Sequence, residues 1–264
     1  MNITFLGTNG SCSFNNDSRK KYGTNTSCTV VKVGGETLIF DAGTGICGFH
    51  NLAEYQSNNM HLFLSHYHID HVEGLLFCSA LFDSSVTFNI YGGGDVRDIL
   101  SKIIAPPLSP VIGSDVFLAK INFHTVKTDT ALKLSNGVTI RAHALSHPGG
   151  SLGYRVDYNG KSFCYCNDVE LENHKTDKKL SAFIKNADLL VLDSAFADGC
   201  LIPGWGHSTP SECAEWATQA SVKQLGLCHY SFNMSDDDID ALENSAHKIF
   251  ANTFAAADGT YIAI

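Results

Sequence analysis

Short apolar runs that alternate with polar residues recur along the 264-residue chain, and residues that favour turns close each run. Alternation places successive side chains on opposite faces of a strand, which is typical of a sheet with one buried face. The pattern predicts strands at Ile3–Leu6, Ser27–Val33, Glu36–Phe40, His61–Ser65, Val86–Tyr91, Val138–Ala142, Gly153–Tyr158, Ser162–Tyr165 and Leu189–Leu192. Strands therefore dominate the predicted structure.

Between these strands, four segments carry apolar residues three and four positions apart, which predicts helices. They are Gly74–Phe82, Asp95–Ile104, Ser211–Ala220 and Ser235–Phe250. The residues from Ser208 to Glu212 are typical of a helix start, because capping residues precede a proline and an early acid. The proline-rich segment Ala105–Pro110 predicts a stiff extended loop. Nothing in the composition divides the chain, so we expect one domain over residues 1–264.

The composition indicates a protein that folds around its own core. Hydrophobic residues make up 44% of the chain and charged residues 17%, which is unlike a disordered sequence. The apolar run after Met1 is too short for a signal peptide, and no run approaches the roughly 18 apolar residues of a membrane span. We therefore expect a cytoplasmic protein without a membrane partner.

Cysteine content and net charge narrow the function further. The nine cysteines are an odd number without a CxxC pair, which predicts reduced and mostly buried thiols. The formal net charge of −9 is unfavourable for a long nucleic acid, because such binding needs clustered Lys and Arg. Small anionic substrates are compatible with it, since bound metal ions can reverse the local field.

A dense group of metal-binding residue types follows the apolar strand that ends at Ser65. It consists of His66, His68, Asp70 and His71. Burying several imidazoles and a carboxylate costs free energy unless each has a partner, and a divalent cation provides one for all of them. In extended structure His66 and His68 point the same way, so they can bind one ion. A turn beyond them would direct the other two residues to a second position.

This HxHxDH motif after an apolar strand resembles the signature of the metallo-β-lactamase superfamily. The segments Phe5–Thr8 and Asp41–Gly45 resemble family motifs as well, so the likeness spans nearly the whole chain. The resemblance implies an α+β fold, a four-layer αββα sandwich of two mixed sheets with the site at one edge. It also implies three later ligands, each at a strand end, which match His147, Asp168 and His229.

The resemblance assigns these ligands to two metal ions. His66, His68 and His147 would hold the first ion, Asp70, His71 and His229 the second, and Asp168 would bridge both. Histidine and carboxylate donors suit Zn²⁺ and also Mn²⁺ or Fe²⁺, and zinc is our expectation. Two such ions would activate a bound hydroxide as the nucleophile.

A second motif, Gly204–Thr209, contains His207. The phosphodiesterase branch of the superfamily carries a similar histidine that protonates the leaving oxygen, so the resemblance makes His207 the general acid, and we count it with Asp70 as catalytic. The alternative is that His207 and Ser208 only cap the helix at Pro210. Asp41 and Asp193 each end a strand and would either orient a site histidine or cap a turn.

The expected function is hydrolysis of a small phosphodiester, cyclic and in a nucleotide or sugar phosphate, by a homodimer. Within the phosphodiesterase branch, the chain resembles cyclic-nucleotide phosphodiesterases and tRNase Z-like proteins. A tRNA 3′-processing endoribonuclease is the main alternative, disfavoured by the net charge and by the lack of a Gly/Pro-rich arm. A hydrolase of esters, lactones or thioesters and a non-catalytic member are the others. The Gly92–Gly94 run predicts a turn, with a phosphate-binding loop as the alternative.

Overall fold

A computed structural model describes residues 1–15, 17–53, 57–109, 116–134, 136–174 and 178–264. Within these residues, two seven-stranded sheets form the centre of the molecule. In spatial order, the first sheet contains β14 (Tyr261–Ala263), β1 (Asn2–Gly7), β2 (Cys28–Val33), β3 (Glu36–Phe40), β4 (Asn59–Phe63), β5 (Thr87–Gly92) and β6 (Lys120–Thr125). The second contains β13 (Thr253–Ala255), β12 (Leu225–Cys228), β11 (Leu189–Asp193), β10 (Lys161–Cys166), β9 (Ser151–Tyr158), β8 (Thr139–Leu145) and β7 (Leu132–Lys133).

Both sheets are mixed, and helices cover their outer faces. The helices are α1 (Val96–Ile103), α2 (Lys178–Ile184), α3 (Pro210–Gln219) and α4 (Asp236–His247), with 3-10 helices at Thr44–Asn51, Ile69–His71, Leu75–Phe77, Ser79–Phe82 and Leu171–His174. Helix α1 and most of the 3-10 helices pack on the first sheet, while α2, α3 and α4 pack on the second. The expected four-layer α+β sandwich is therefore confirmed.

The core between the sheets is largely aromatic. Phe40 lies with its ring centroid 5.5 Å from that of Phe63 and 5.4 Å from that of Tyr165, and all three are buried. Burial of each such ring stabilises the fold by roughly 1.5–3 kcal/mol. Tyr154 crosses from the second sheet and donates a hydrogen bond of 2.6 Å to the carbonyl of Leu64. This bond fixes the chain just before the first candidate ligand.

All nine predicted strands are present, with ends shifted by a few residues, and three of the four predicted helices are confirmed. The helix predicted over Gly74–Phe82 is wrong, because Cys78 has extended backbone between the two 3-10 helices there. The carbonyl of Leu81 accepts the N–H groups of Leu118 and Ala119, so it is engaged outside any helix.

The extended loop predicted over Ala105–Pro110 is also wrong for the residues described. The N–H groups of Leu108 and Ser109 both donate to the carbonyl of Ala105, each at 2.9 Å, which closes a turn. Pro110 lies outside the described residues.

The expectation of mostly buried thiols holds, since all nine cysteines are free and six are buried. Among the described residues, no helix has the length and apolarity to cross a membrane.

Candidate metal centre

The candidate ligands meet at one edge of the sandwich because the strands that carry them end there. Strand β4 leads to His66, β10 to Asp168 and β12 to His229, and β10, β11 and β12 pair in parallel. Strand β8 pairs with β9, which pairs antiparallel with β10, so β8 also runs in this direction and leads to His147. All seven predicted ligands are brought together.

The second predicted cluster consists of Asp70, His71 and His229. Asp70 Oδ2 lies 3.4 Å from His71 Nε2 and 3.2 Å from His229 Nε2, and the two ring nitrogens are 3.3 Å apart. Ligands about 2.0–2.1 Å from a tetrahedral ion lie ~3.3–3.4 Å from each other. The three donor atoms therefore have the spacing of a metal site.

The first predicted cluster consists of His66, His68 and His147. His68 Nδ1 lies 3.1 Å from His147 Nε2, so two ring nitrogens again face each other. Asp168 joins the clusters, because its Oδ2 lies 3.7 Å from His66 Nε2 and 3.6 Å from His147 Nε2. Its Oδ1 lies 3.3 Å from His71 Nε2 and 3.2 Å from His229 Nε2. Asp168 therefore has the place of a bridging carboxylate.

The histidines of the two clusters differ in protonation. Burial lowers the pKa of His66 to about 2, and the neighbouring His71 adds to this effect, so the imidazole is neutral. His66 Nε2 is buried and has no hydrogen-bond partner in the described part of the chain. Burial opposes ionisation of Asp168, but His229 and His71 outweigh it and hold the pKa of this carboxyl well below its ordinary value. Burial lowers the pKa of His71 as well, but Asp168 and the neighbouring aspartates outweigh this effect and raise the pKa well above its ordinary value. A divalent ion requires neutral imidazoles and ionised carboxylates, so it would replace the proton of His71.

Three strand-end residues have a backbone that L-residues seldom adopt. Asp41, Asp168 and His229 have φ of 61°, 55° and 59°. Such conformations cost of order 1 kcal/mol or more each and concentrate at functional sites. Here they turn the side chains towards the centre.

Buried Asp41 orients His71. Its Oδ2 accepts a hydrogen bond of 2.9 Å from His71 Nδ1, and its oxygens also accept the N–H and hydroxyl of Ser65 and the hydroxyl of Tyr165. This bond leaves the lone pair of His71 Nε2 directed at the cluster. Of the two roles considered for Asp41, the geometry favours orientation.

The loop at Gly204–Gly206 holds His147 in the same way. His147 Nδ1 donates to the carbonyl of Gly206 at 2.9 Å, and the N–H groups of Gly204 and Gly206 both donate to Glu170 Oε2, at 2.9 and 3.0 Å. Gly206 has φ of 82°, and a Cβ there would lie 2.3 Å from His147 Nδ1. The sequence offered no signal for Glu170, because its role depends on a loop 34 residues away.

His207 lies against both clusters. Its ring centroid is 5.3 Å from that of His147 and 5.0 Å from that of His229. Burial lowers the pKa of His207, but buried Asp193, whose Oδ2 is 3.4 Å from Nδ1, outweighs this effect and raises the pKa to about 9. Cations in the two clusters would bring it down again.

The capping role considered for His207 and Ser208 belongs to another residue. Thr209 is the N-cap of α3 and forms a capping box with Glu212. Asp193 Oδ1 accepts the N–H of Ser208, and its Oδ2 also accepts the N–H of Val169, the residue after Asp168. Asp193 therefore positions the chain at both His207 and Asp168.

Two further segments approach the centre. The N–H of Ser11 donates to Asp70 Oδ2 at 2.8 Å, which the sequence did not indicate. Gly93 and Gly94 lie in a bend, as expected, and line a pocket of about 410 Å³ beside His66 with Tyr67. The hydroxyl of Tyr67 donates to the carbonyl of Gly93 at 2.7 Å.

The fold and the two histidine–aspartate clusters define a hydrolase of the metallo-β-lactamase fold, with clusters that could hold metal ions. The model of the beta-lactamase superfamily domain matches residues 36–230, and the chain belongs to this superfamily. The resemblance seen in the sequence is thus confirmed.

The three individual proteins named below share 20–26% sequence identity with this chain. Ribonuclease Z of Archaeoglobus fulgidus is 26% identical over 309 aligned positions, which cover 97% of this chain and 95% of the relative. Because 309 positions exceed the 264 residues of this chain, the relative carries segments that this chain lacks. Two solved structures share the fold over 99–100% of both chains: YhfI of Bacillus subtilis, with TM-score 0.76 and 20% identity, and the short form of human tRNase Z, with TM-score 0.67 and 23% identity.

Proposed function

We propose that this chain is a dinuclear-metal phosphodiesterase that cleaves RNA in the manner of a tRNA 3′-processing endoribonuclease. The observation that carries the proposal is the pair of clusters joined by Asp168, with donor atoms 3.1–3.7 Å apart and His207 beside both. The donor set favours zinc, with Mn²⁺ and Fe²⁺ as alternatives.

Ions bound in the two clusters would lower the pKa of a coordinated water and offset charge on the phosphate oxygens. The side chains of this chain provide the rest. Asp70 is proposed as a ligand and as the carboxylate that orients the attacking water, since its ionised oxygens accept hydrogen bonds. Its pKa is held far below the ordinary value because His71 and His229 outweigh the effect of burial.

His207 is proposed to protonate the leaving oxygen as the P–O bond breaks. Its Nδ1 faces Asp193, which leaves Nε2 for the substrate and stabilises the protonated ring. Thr209 caps α3, so the position of His207 is not required for capping. An alkoxide leaving group needs such a proton, whereas a weakly basic phenolate does not.

The name of the A. fulgidus relative supports RNA as the substrate class and favours the endoribonuclease over the small-molecule phosphodiesterase expected first from the sequence. A cyclic phosphodiester is the second candidate. Two observations favour it. The net charge of −9 repels a polyanion, and this chain lacks segments of the relative that could enlarge a binding surface.

A substrate panel tests the proposal. Precursor tRNA with a 3′ trailer, a cyclic nucleotide, a cyclic ribose phosphate and a linear dinucleotide are assayed with Zn²⁺ and with Mn²⁺. We expect trailer removal with the highest kcat/KM, and loss of all activity in Asp168→Asn. Preferred opening of a cyclic substrate would select the second candidate. Cleavage of esters or lactones alone would reject both.

A further inference from the structure

Trp205 is an exposed aromatic residue on a loop that hydrogen bonds hold in place. Its side chain is 60% exposed. On either side of it, Gly204 and Gly206 donate their N–H groups to buried Glu170, and the N–H of Trp205 donates to the carbonyl of Ile202 at 3.3 Å. A large indole is therefore presented to solvent by hydrogen-bonded backbone, and most of its apolar surface is not buried by the fold.

A row of rings links this indole to the candidate acid. The ring of Phe196 lies 6.5 Å from that of Trp205 and 5.9 Å from that of His207, both edge to face. Trp205 also precedes Gly206, whose carbonyl binds His147 Nδ1. The exposed indole is thus attached to the part of the site that holds the proton donor.

The position of His207 determines which part of a substrate reaches this surface. The proton donor must lie beside the leaving oxygen, so the departing half of a phosphodiester occupies the His207 side of the metal centre. An exposed indole on that side is suited to stack against a planar aromatic group, and every nucleobase presents one.

We propose that Trp205 is a stacking site for the nucleobase of the departing nucleoside. The proposal rests on the phosphodiesterase function and adds to it a substrate with a base on the leaving side. Phe196 supports the indole by the edge-to-face contact with its ring. The two clusters would hold the phosphate. Trp205 determines specificity and takes no part in proton transfer.

Kinetics on three dinucleotides test the side and the chemistry of this contact. One is adenylyl-adenosine. In the second, the departing nucleoside, whose oxygen leaves the phosphorus, has no base. In the third, the retained nucleoside, which keeps the phosphate, has no base. Stacking on an aromatic side chain contributes about 1–3 kcal/mol per base, so Trp205→Ala should lower kcat/KM for adenylyl-adenosine by about 5- to 150-fold, mainly through KM. The substrate without the departing base should be insensitive to the substitution, and Trp205→Phe should keep most of the wild-type value.

Fluorescence provides a readout that does not depend on turnover. The chain has two tryptophans, and Trp216 is buried whereas Trp205 is exposed. Adding adenylyl-adenosine to the zinc-loaded protein should quench tryptophan fluorescence, the substrate without the departing base should not, and the response should vanish in Trp205→Phe. Tyr261→Ala, an exposed aromatic on edge strand β14, is the matched control and should leave both readouts unchanged.

Other results would overturn the inference. Equal losses of kcat/KM for all three dinucleotides in Trp205→Ala would mean that Trp205 only shapes the loop, and a penalty that follows the retained base would place stacking on the wrong side. Base-dependent quenching in a protein that cleaves no phosphodiester would support the stacking site and reject the proposed function. The two failures are therefore distinguishable.

Discussion

At the scale of single residues, the proposed phosphodiesterase activity depends most on the role given to His207. It contacts the rings of His147 and His229 but is absent from the seven predicted ligands. We expect His207→Ala to keep its metal content and to cleave substrates with alkoxide leaving groups about 10²–10⁴-fold more slowly. A p-nitrophenyl diester should lose far less, because its leaving group needs no proton. The measurement is kcat on both substrate types.

The control for this experiment is His50→Ala, an exposed histidine at the end of the first 3-10 helix. It should behave as wild type on both substrates. An equal loss on both leaving groups in His207→Ala would show that the ring shapes the site and is not the acid.

Two glycines of one loop give a second test at this scale. Gly204 and Gly206 both have φ of 82°, so alanine is strained at either position, but only at Gly206 would the new Cβ meet His147. We therefore expect Gly206→Ala to weaken zinc binding by about 10- to 100-fold, as is usual when the partner of a metal-bound histidine is disturbed. Zinc affinity is measured by competition with a chromophoric chelator, and Gly204→Ala is the control for strain alone. Equal affinities in the two variants would contradict the role given to the Gly206 carbonyl.

The sequence predicted the ligands but not their supports. The spacing of His66 to His71 is local, so a motif can show it. Glu170 accepts the N–H of Gly204 and Ser11 donates its own N–H to Asp70, and only the folded chain brings these partners together. Asp41 could be singled out as a strand-end acid, but the bond to His71 that favours its orienting role is a contact across 30 residues.

At the scale of secondary-structure elements, the N-cap of α3 begins that helix two residues after His207. Thr209 accepts from the N–H of Glu212, and Glu212 accepts from the N–H of Thr209, which is a complete capping box. We expect Thr209→Ala to lower the free energy of unfolding by about 1 kcal/mol, whereas Thr209→Ser should stay near wild type. Urea unfolding at fixed metal concentration measures both. A serine variant as unstable as the alanine variant would contradict the capping role.

Every predicted strand was found, but of the fourteen strands in the described residues five were not predicted: β6, β7, β12, β13 and β14. Alternation identified β4, β8 and β10, because each has one face in the core between the sheets, but not β12, which leads to His229. Strand β6 was not predicted although Ile121 and Phe123 alternate with polar residues in it. The 3-10 helices after His71 could not be told from an α-helix, since the apolar residues of Gly74–Phe82 recur at helical spacing although extended Cys78 interrupts the segment.

At the scale of the whole molecule, the four layers bring strands from both sheets to one edge, where the predicted ligands follow their ends. The single domain and the homodimer stay predictions. Sedimentation equilibrium of the zinc-loaded protein should give a mass of twice 28.6 kDa if the chain is dimeric. A mass of one chain at all concentrations would contradict the homodimer.

The central claim is that the two clusters joined by Asp168 hold two ions. Metal analysis of the pure protein after reconstitution with zinc and removal of unbound metal tests it most directly. The account predicts two zinc ions per chain in the wild type and fewer in Asp168→Asn, since the substitution removes the carboxylate shared by both clusters. One ion or fewer per wild-type chain would contradict the dinuclear centre.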